Sequence, residues 1–93
     1  MRAVWKNTVI AENANTVVVE GNHYFPHESL KREHFRDSSH HSVCPSNGTA
    51  SYLDVVASQG VNNEAAWYYP DPKPTAAEIR GRVAFWRGVK VQA

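Results

Sequence analysis

His41-Ser42-Val43-Cys44, then Pro45-Ser46-Asn47-Gly48, then Thr49-Ala50-Ser51-Tyr52-Leu53-Asp54-Val55-Val56-Ala57 is the stretch that decides the fold. Two apolar-leaning runs flank a break in which Asn-Gly is the favoured hairpin pair, because both residues tolerate positive φ. A second turn at Ser58-Gln59-Gly60 hands the chain to a strand over Val61–Tyr69. Three such strands in succession read as an antiparallel meander. Along the third, side chains alternate, so Ala65, Trp67 and Tyr69 should share one face and Glu64, Ala66 and Tyr68 the other.

Towards the N-terminus the pattern stays β. Arg2–Trp5 and Thr8–Ala11 flank a tight turn at Lys6-Asn7, and Thr16–Glu20 is a β-branched run ending at Gly21-Asn22. His23-Tyr24-Phe25 then meets Pro26, which has no N–H to give to a ladder. Residues 26–39 are the least regular, with one or two helical turns expected over Glu28–Glu33 and Leu30 and His34 on one side. Beyond the meander, Pro70, Pro72 and Pro74 exclude both helix and central strand, so the chain should cross the surface extended. Thr75-Ala76-Ala77-Glu78 matches a capping box with Thr75 as N-cap, opening a helix that Gly81 cuts short. Arg82–Trp86 and Val89–Val91 close the chain as strands around Gly88, with Val83 and Phe85 on one face. The expectation is a mainly β, single-domain fold over residues 1–93 with one or two short helices.

Composition bounds the rest. With 93 residues, 42% of them hydrophobic, and ten Trp, Tyr and Phe, the chain can build one core and is not disordered. A net charge of +1 gives no basic field for nucleic acid or membranes, so neither is expected as a partner. The run Lys31–Asp37 is mixed in sign and reads as a solvated segment. Cys44 is the only cysteine, which excludes an internal disulfide, and no apolar stretch has signal-peptide or membrane-spanning length. Cytoplasmic localisation follows as an expectation, in which Asn47-Gly48-Thr49 would never meet a glycosylating enzyme.

Few constellations point to chemistry. A cysteine becomes a nucleophile when a base or cation lowers its pKa, and His40 and His41 are close in sequence. In a regular strand positions 40, 42 and 44 share a face and 41 points away with Val43, which favours His40 as the neighbour of Cys44; an inert, packed thiol is the other reading. His23 and His27 have a metal-ligand spacing, but Pro26 between them argues against the helix that spacing needs, and no second cysteine exists. No metal and no cofactor are expected, and no Gly-rich phosphate cradle is present. Glu20, Asn22 and Tyr24 alternate towards one side, as pocket wall or solvent-facing edge. Trp67-Tyr68-Tyr69-Pro70-Asp71-Pro72 is an aromatic–proline block of the kind that lines small-ligand sites or fills a core.

Several segments in fixed order carry a family resemblance: Val19-Glu20-Gly21-Asn22-His23-Tyr24-Phe25-Pro26, His41-Ser42-Val43-Cys44-Pro45 with Gly48-Thr49-Ala50-Ser51-Tyr52, Ala65-Ala66-Trp67-Tyr68-Tyr69-Pro70-Asp71-Pro72, and Glu78-Ile79 with Phe85. Nearly end to end, the chain resembles the domain of unknown function 427 family, which also carries a provisional nucleotidyltransferase label. The resemblance implies a β-tent-like fold, shared with B-type methionine sulfoxide reductases and zinc-binding tent domains. It places pocket residues at Glu20, Tyr24, His41, Cys44, Tyr52, Trp67 and Tyr69. It thereby favours His41 over His40, which a bulge near Pro45 would reconcile with strand parity. The chain departs from the family in lacking paired zinc cysteines, and in carrying Ser46 and Asn47 where members usually have an aromatic residue and a lysine. Nucleotidyl transfer normally needs carboxylates holding Mg²⁺, and no acidic pair is evident.

Two functions follow as expectations. One is a small-molecule-binding domain, monomeric or homodimeric, with aromatic walls from Tyr24, Tyr52, Trp67 and Tyr69, and with Glu20, His41 and Cys44 as candidate catalytic groups. The other is a non-catalytic interaction module using the Tyr68–Pro74 strip with Arg80, Arg82 and Arg87.

Overall fold

A computed structural model describes residues 1–93, and nine strands carry the architecture. They are β1 (Arg2–Trp5), β2 (Thr8–Glu12), β3 (Val17–Val19), β4 (Asn22–Tyr24), β5 (Phe35–Cys44), β6 (Gly48–Ala57), β7 (Gly60–Tyr68), β8 (Val83–Phe85) and β9 (Lys90–Gln92). The meander is the centre: β5-β6-β7-β8 form one four-stranded antiparallel sheet. A three-stranded sheet β2-β1-β9 and the two-stranded β3-β4 complete the fold.

β5 is longer than the sequence suggests, starting at Phe35 inside the charged run. The β5–β6 connection also differs from the expected Asn-Gly pair. Cys44 pairs with Gly48, so Pro45-Ser46-Asn47 is a three-residue loop. Only Gly48 takes positive φ there, at +117°, which releases Asn47 to turn its side chain inward. Two-residue turns at Lys6-Asn7 and Glu20-Gly21 do have consecutive positive φ values, matching the right-handed strand twist.

No regular helix forms. Glu28–Glu33 resolves into two 3₁₀ turns, His27–Ser29 and Arg32–His34, split by Leu30, which bridges to Ala11 instead. Pro74–Ile79 is a 3₁₀ segment kinked at Ala76, its N-cap is Lys73, and no side chain caps it. The expected capping box is therefore absent: Thr75 Oγ1 is drawn to the Ser46 carbonyl at 3.4 Å. Tertiary contact with the β5–β6 loop outcompetes the local cap.

The central sheet has an apolar cluster on each face. Leu53 and Val55 of β6, Ala66 of β7, and Val83 and Phe85 of β8 pack towards Ala3, Trp5 and Ile10. Ala50 and Tyr52, Tyr69, and Ala84 pack the opposite way, against Tyr24 and Ile79. Tyr24 and Phe25 are 2% and 0% exposed yet belong to different clusters, because successive side chains of an extended chain point opposite ways. Phe25 fixes this arrangement by exchanging backbone hydrogen bonds with Val83 at 2.8 and 2.9 Å.

Two irregularities re-aim side chains. On β5, Asp37 pairs with Leu53 and His41 with Ser51, so Ser38, Ser39 and His40 together oppose Tyr52. On β7, Asn62 pairs with Val55 and Ala66 with Leu53, leaving Asn63, Glu64 and Ala65 opposite Asp54. Glu64 takes φ +57°, and its N–H is held by Asp54 Oδ1 at 2.9 Å. This second bulge corrects the expected alternation. Trp67 and Tyr69 share a face, but Ala65 joins Ala66 in the other cluster. No helix is long and apolar enough to cross a membrane.

Candidate functional site

The second face opens into a concavity of about 260 Å³. Its floor and walls come from four elements. The Glu20-Gly21 turn and β4 bring Glu20, Asn22 and Tyr24; β6 and β7 bring Tyr52, Trp67 and, just past the strand, Tyr69. Cys44 and Asn47 close one end and Trp86 the other. Six of the seven residues singled out by the resemblance therefore share one surface: Glu20, Tyr24, Cys44, Tyr52, Trp67 and Tyr69.

His41 does not join them. The bulge expected near Pro45 lies instead before His41, and pairing from His41 to Cys44 is regular. Strand parity then puts His41 on the face opposite Cys44, where its Nδ1 lies 3.4 Å from Ser51 Oγ. Ser42 shares the Cys44 face, and its hydroxyl bonds the Tyr52 hydroxyl at 2.7 Å. The bulge carries His40 to the edge of the site, its ring 4.7 Å from that of Tyr52 and its Nδ1 3.7 Å from Glu64 Oε2. Neither histidine is hydrogen-bonded to Cys44, whose side-chain partner is Ser46 Oγ at 3.3 Å.

Hydrogen bonds lock the walls. Trp67 Nε1 donates to the Tyr24 hydroxyl at 3.2 Å, with the two rings at 90°. Asn47, only 5% exposed, donates from Nδ2 to Glu20 Oε1 at 3.3 Å. Its backbone N–H reaches back to the Cys44 carbonyl and its own carbonyl accepts from Lys73 N–H at 2.8 Å. Every fully buried side-chain nitrogen and oxygen has a partner, so the polar edge of the site is built, not accidental.

Ionisation follows from this packing. Burial pushes the Tyr69 hydroxyl up to about 12, against the opposing pull of the Asn47 side chain. Burial also raises Tyr24, opposed by the Trp67 hydrogen bond and helped by the Glu20 charge. The Ser46 hydroxyl holds Cys44 below the ordinary thiol value, over the contrary effect of desolvation. At neutral pH both phenols stay protonated and uncharged.

Asn47 and Trp86 are lining residues that the sequence does not single out for the site, whereas Asn22 lies on the side that alternation gives to Glu20 and Tyr24. Asn47 was accounted for by the turn and Trp86 by a strand end. The signal for Trp86 was its place next to Phe85, which sends it to the opposite face. Other concavities are of different character. One of about 470 Å³ at the β5 bulge, between Asp37, Asp54 and Glu64, has no apolar wall. One of about 280 Å³ has apolar walls from Leu30, Phe35 and Leu53 and is bordered by Arg32, Arg36 and Asp37. No three His, Cys, Asp or Glu side chains form a metal-holding group; His23 and His27 bond separately to Thr16 and to the Gly81 carbonyl. Arg80, Arg82 and Arg87 are each engaged within the chain, with Asp71, the Asn15 carbonyl and the Trp86 ring.

Compared with known families, residues 1–93 match the family model described as Domain of unknown function (DUF427). A search of curated proteins finds no match. The chain belongs to the DUF427 family.

Proposed function

We propose that this DUF427 member is a small-molecule-binding domain whose ligand occupies the concavity between the β3–β4 hairpin and the second face of the central sheet. The observation that carries this reading is convergence. Tyr24, Tyr52, Trp67 and Tyr69 come from three strands and a loop, yet they wall one space with Glu20 and Asn47 at its edge. Aromatic walls with a few placed polar groups are the usual composition of small-ligand sites. The T-shaped pairs and hydrogen bonds hold those walls in place before anything binds, which lowers the ordering cost of association.

Binding is a better-supported reading than catalysis. Cys44 has a depressed pKa, but a working nucleophile also needs an oriented base, and its side-chain partner is a serine hydroxyl.

A thermal-shift screen of a metabolite library tests the reading. A ligand at 100 times its Kd stabilises by about 2.7 kcal/mol, enough to raise the melting temperature visibly. Trp86→Ala removes a wall residue that also packs on Tyr52 and Trp67, so it should lower the unliganded melting temperature and abolish the further shift on adding ligand. A library in which no compound shifts the wild-type protein contradicts the proposal.

A further inference from the structure

We infer that the occupant of this concavity carries a positive charge: a small organic ammonium ion whose head group packs against the aromatic walls with the Glu20 carboxylate as its counter-charge. This rests on reading the concavity as a ligand site.

The charge balance of the lining comes first. Among the residues that border the space there is one carboxylate, Glu20, and no lysine or arginine. The neighbouring cations already have partners: Lys73 Nζ donates to the Pro45 carbonyl, and Arg87 lies over the Trp86 ring beside the Glu64 carboxylate. A phosphate or carboxylate ligand would meet the Glu20 charge and find no cationic partner. Desolvating an anion without one is costly.

The second argument is the arrangement of rings. Trp67 and Trp86 stand 5.6 Å apart at 70°, Tyr24 and Trp67 at 90°, and Tyr52 lies 6.3 Å from Trp86 at 33°. The two steep pairs that meet at Trp67 make adjoining walls, while Tyr52 and Trp86 lie closer to parallel. A cation is attracted by the negative face of an aromatic ring, and Trp is the strongest partner within about 6 Å. The Arg87 guanidinium carbon already lies 4.7 Å from the Trp86 ring centroid, so Trp67 and the tyrosines are the rings left to a cationic guest. A neutral aliphatic guest would gain the same apolar burial but none of this attraction, and no ion pairing with the exposed Glu20 carboxylate.

The test titrates the 93-residue chain, followed by tryptophan fluorescence and amide NMR, with four probes. They are choline, the neutral alcohol in which a tert-butyl group replaces its trimethylammonium, inorganic phosphate, and a trimethyllysine peptide. Choline should bind about tenfold more tightly than its neutral isostere, the scale of a partly desolvated cation–π contact. Glu20→Gln, which keeps the oxygen that Asn47 bonds, should weaken choline several-fold and leave the isostere unchanged. Perturbations should centre on Trp67 and Trp86. A peptide tighter than choline would assign the head group to a protein side chain and still support the cation. Equal affinity for choline and isostere, or phosphate binding at the same tryptophans, overturns the inference. If choline fails while the metabolite library yields a neutral or anionic ligand, the charge assignment alone falls. If nothing binds at all, the small-molecule reading falls with it.

Discussion

Tyr69 holds its proton to about 12, against 10.0 for an ordinary phenol, because its hydroxyl is packed away from water. The folded chain thus keeps a proton that the unfolded chain releases earlier. The stabilisation is complete below pH 10 and is lost as pH rises from 10 to 12. Tyr24 is shifted the same way and adds to the effect. The urea midpoint of the wild type should fall across this window, and Tyr69→Phe should flatten the decline; an equally steep fall in the variant would place its cause elsewhere. At this scale the sequence was partly legible. Type, alternation and the family resemblance together place Glu20, Tyr24, Trp67 and Tyr69 on one side, and these residues border one concavity. For the histidine, parity correctly separated His41 from Cys44 while the resemblance pulled towards it. The bulge that brings His40 beside Tyr52 leaves no mark on the sequence, since any extra residue in a strand shifts parity equally well.

Among elements, the β5–β6 loop depends on Gly48. A Cβ there would lie 3.4 Å from the Asp71 carbonyl oxygen and 3.5 Å from Lys73 N, where the proline-rich crossing docks onto the loop, and φ is +117°. Gly48→Ala should cost about 1–3 kcal/mol in urea unfolding, the usual penalty for a side chain held in a sparsely populated conformation. Gly60→Ala, with φ +135° but open space around it, should cost less. A reversed order would show that the methyl at position 48 packs favourably against residues 71–73. The meander, the turn at Lys6-Asn7 and the extended backbone before Pro74 were readable because turn chemistry and proline act locally, while the β5–β6 loop departed from the Asn-Gly pair. The capping box misled because Thr75 and Glu78 satisfy a local rule while the Ser46 carbonyl, twenty-nine residues earlier in the chain, claims the hydroxyl.

For the whole molecule, the two clusters share one sheet, and adjacent residues bind them together. Tyr24 packs on one side and Phe25 on the other, so neither face can loosen without pulling on the same peptide. Unfolding should be a single transition. Trp5 reports one cluster and Trp67 the other, so variants carrying one or the other fluorophore should give coincident denaturation curves. Phe25→Ala should lower stability by about 3–5 kcal/mol and move both curves together, whereas separated curves would mean two independent units. That the core is two-sided was not legible beforehand. Alternation assigns residues to faces but does not say what covers each face, and the covering elements, β1, β2 and β4, are distant in sequence.

The pairing of β1 with β9, Arg2 opposite Gln92 and Val4 opposite Lys90, has a mechanical consequence. The two strands run antiparallel with Arg2 and Gln92 side by side, so tension applied through these two residues pulls across the ladder and not along it. Hydrogen bonds then carry the load one rung at a time, and β9 peels from β1 at low force. The meander, with both of its ends shielded behind that seam, is loaded only afterwards.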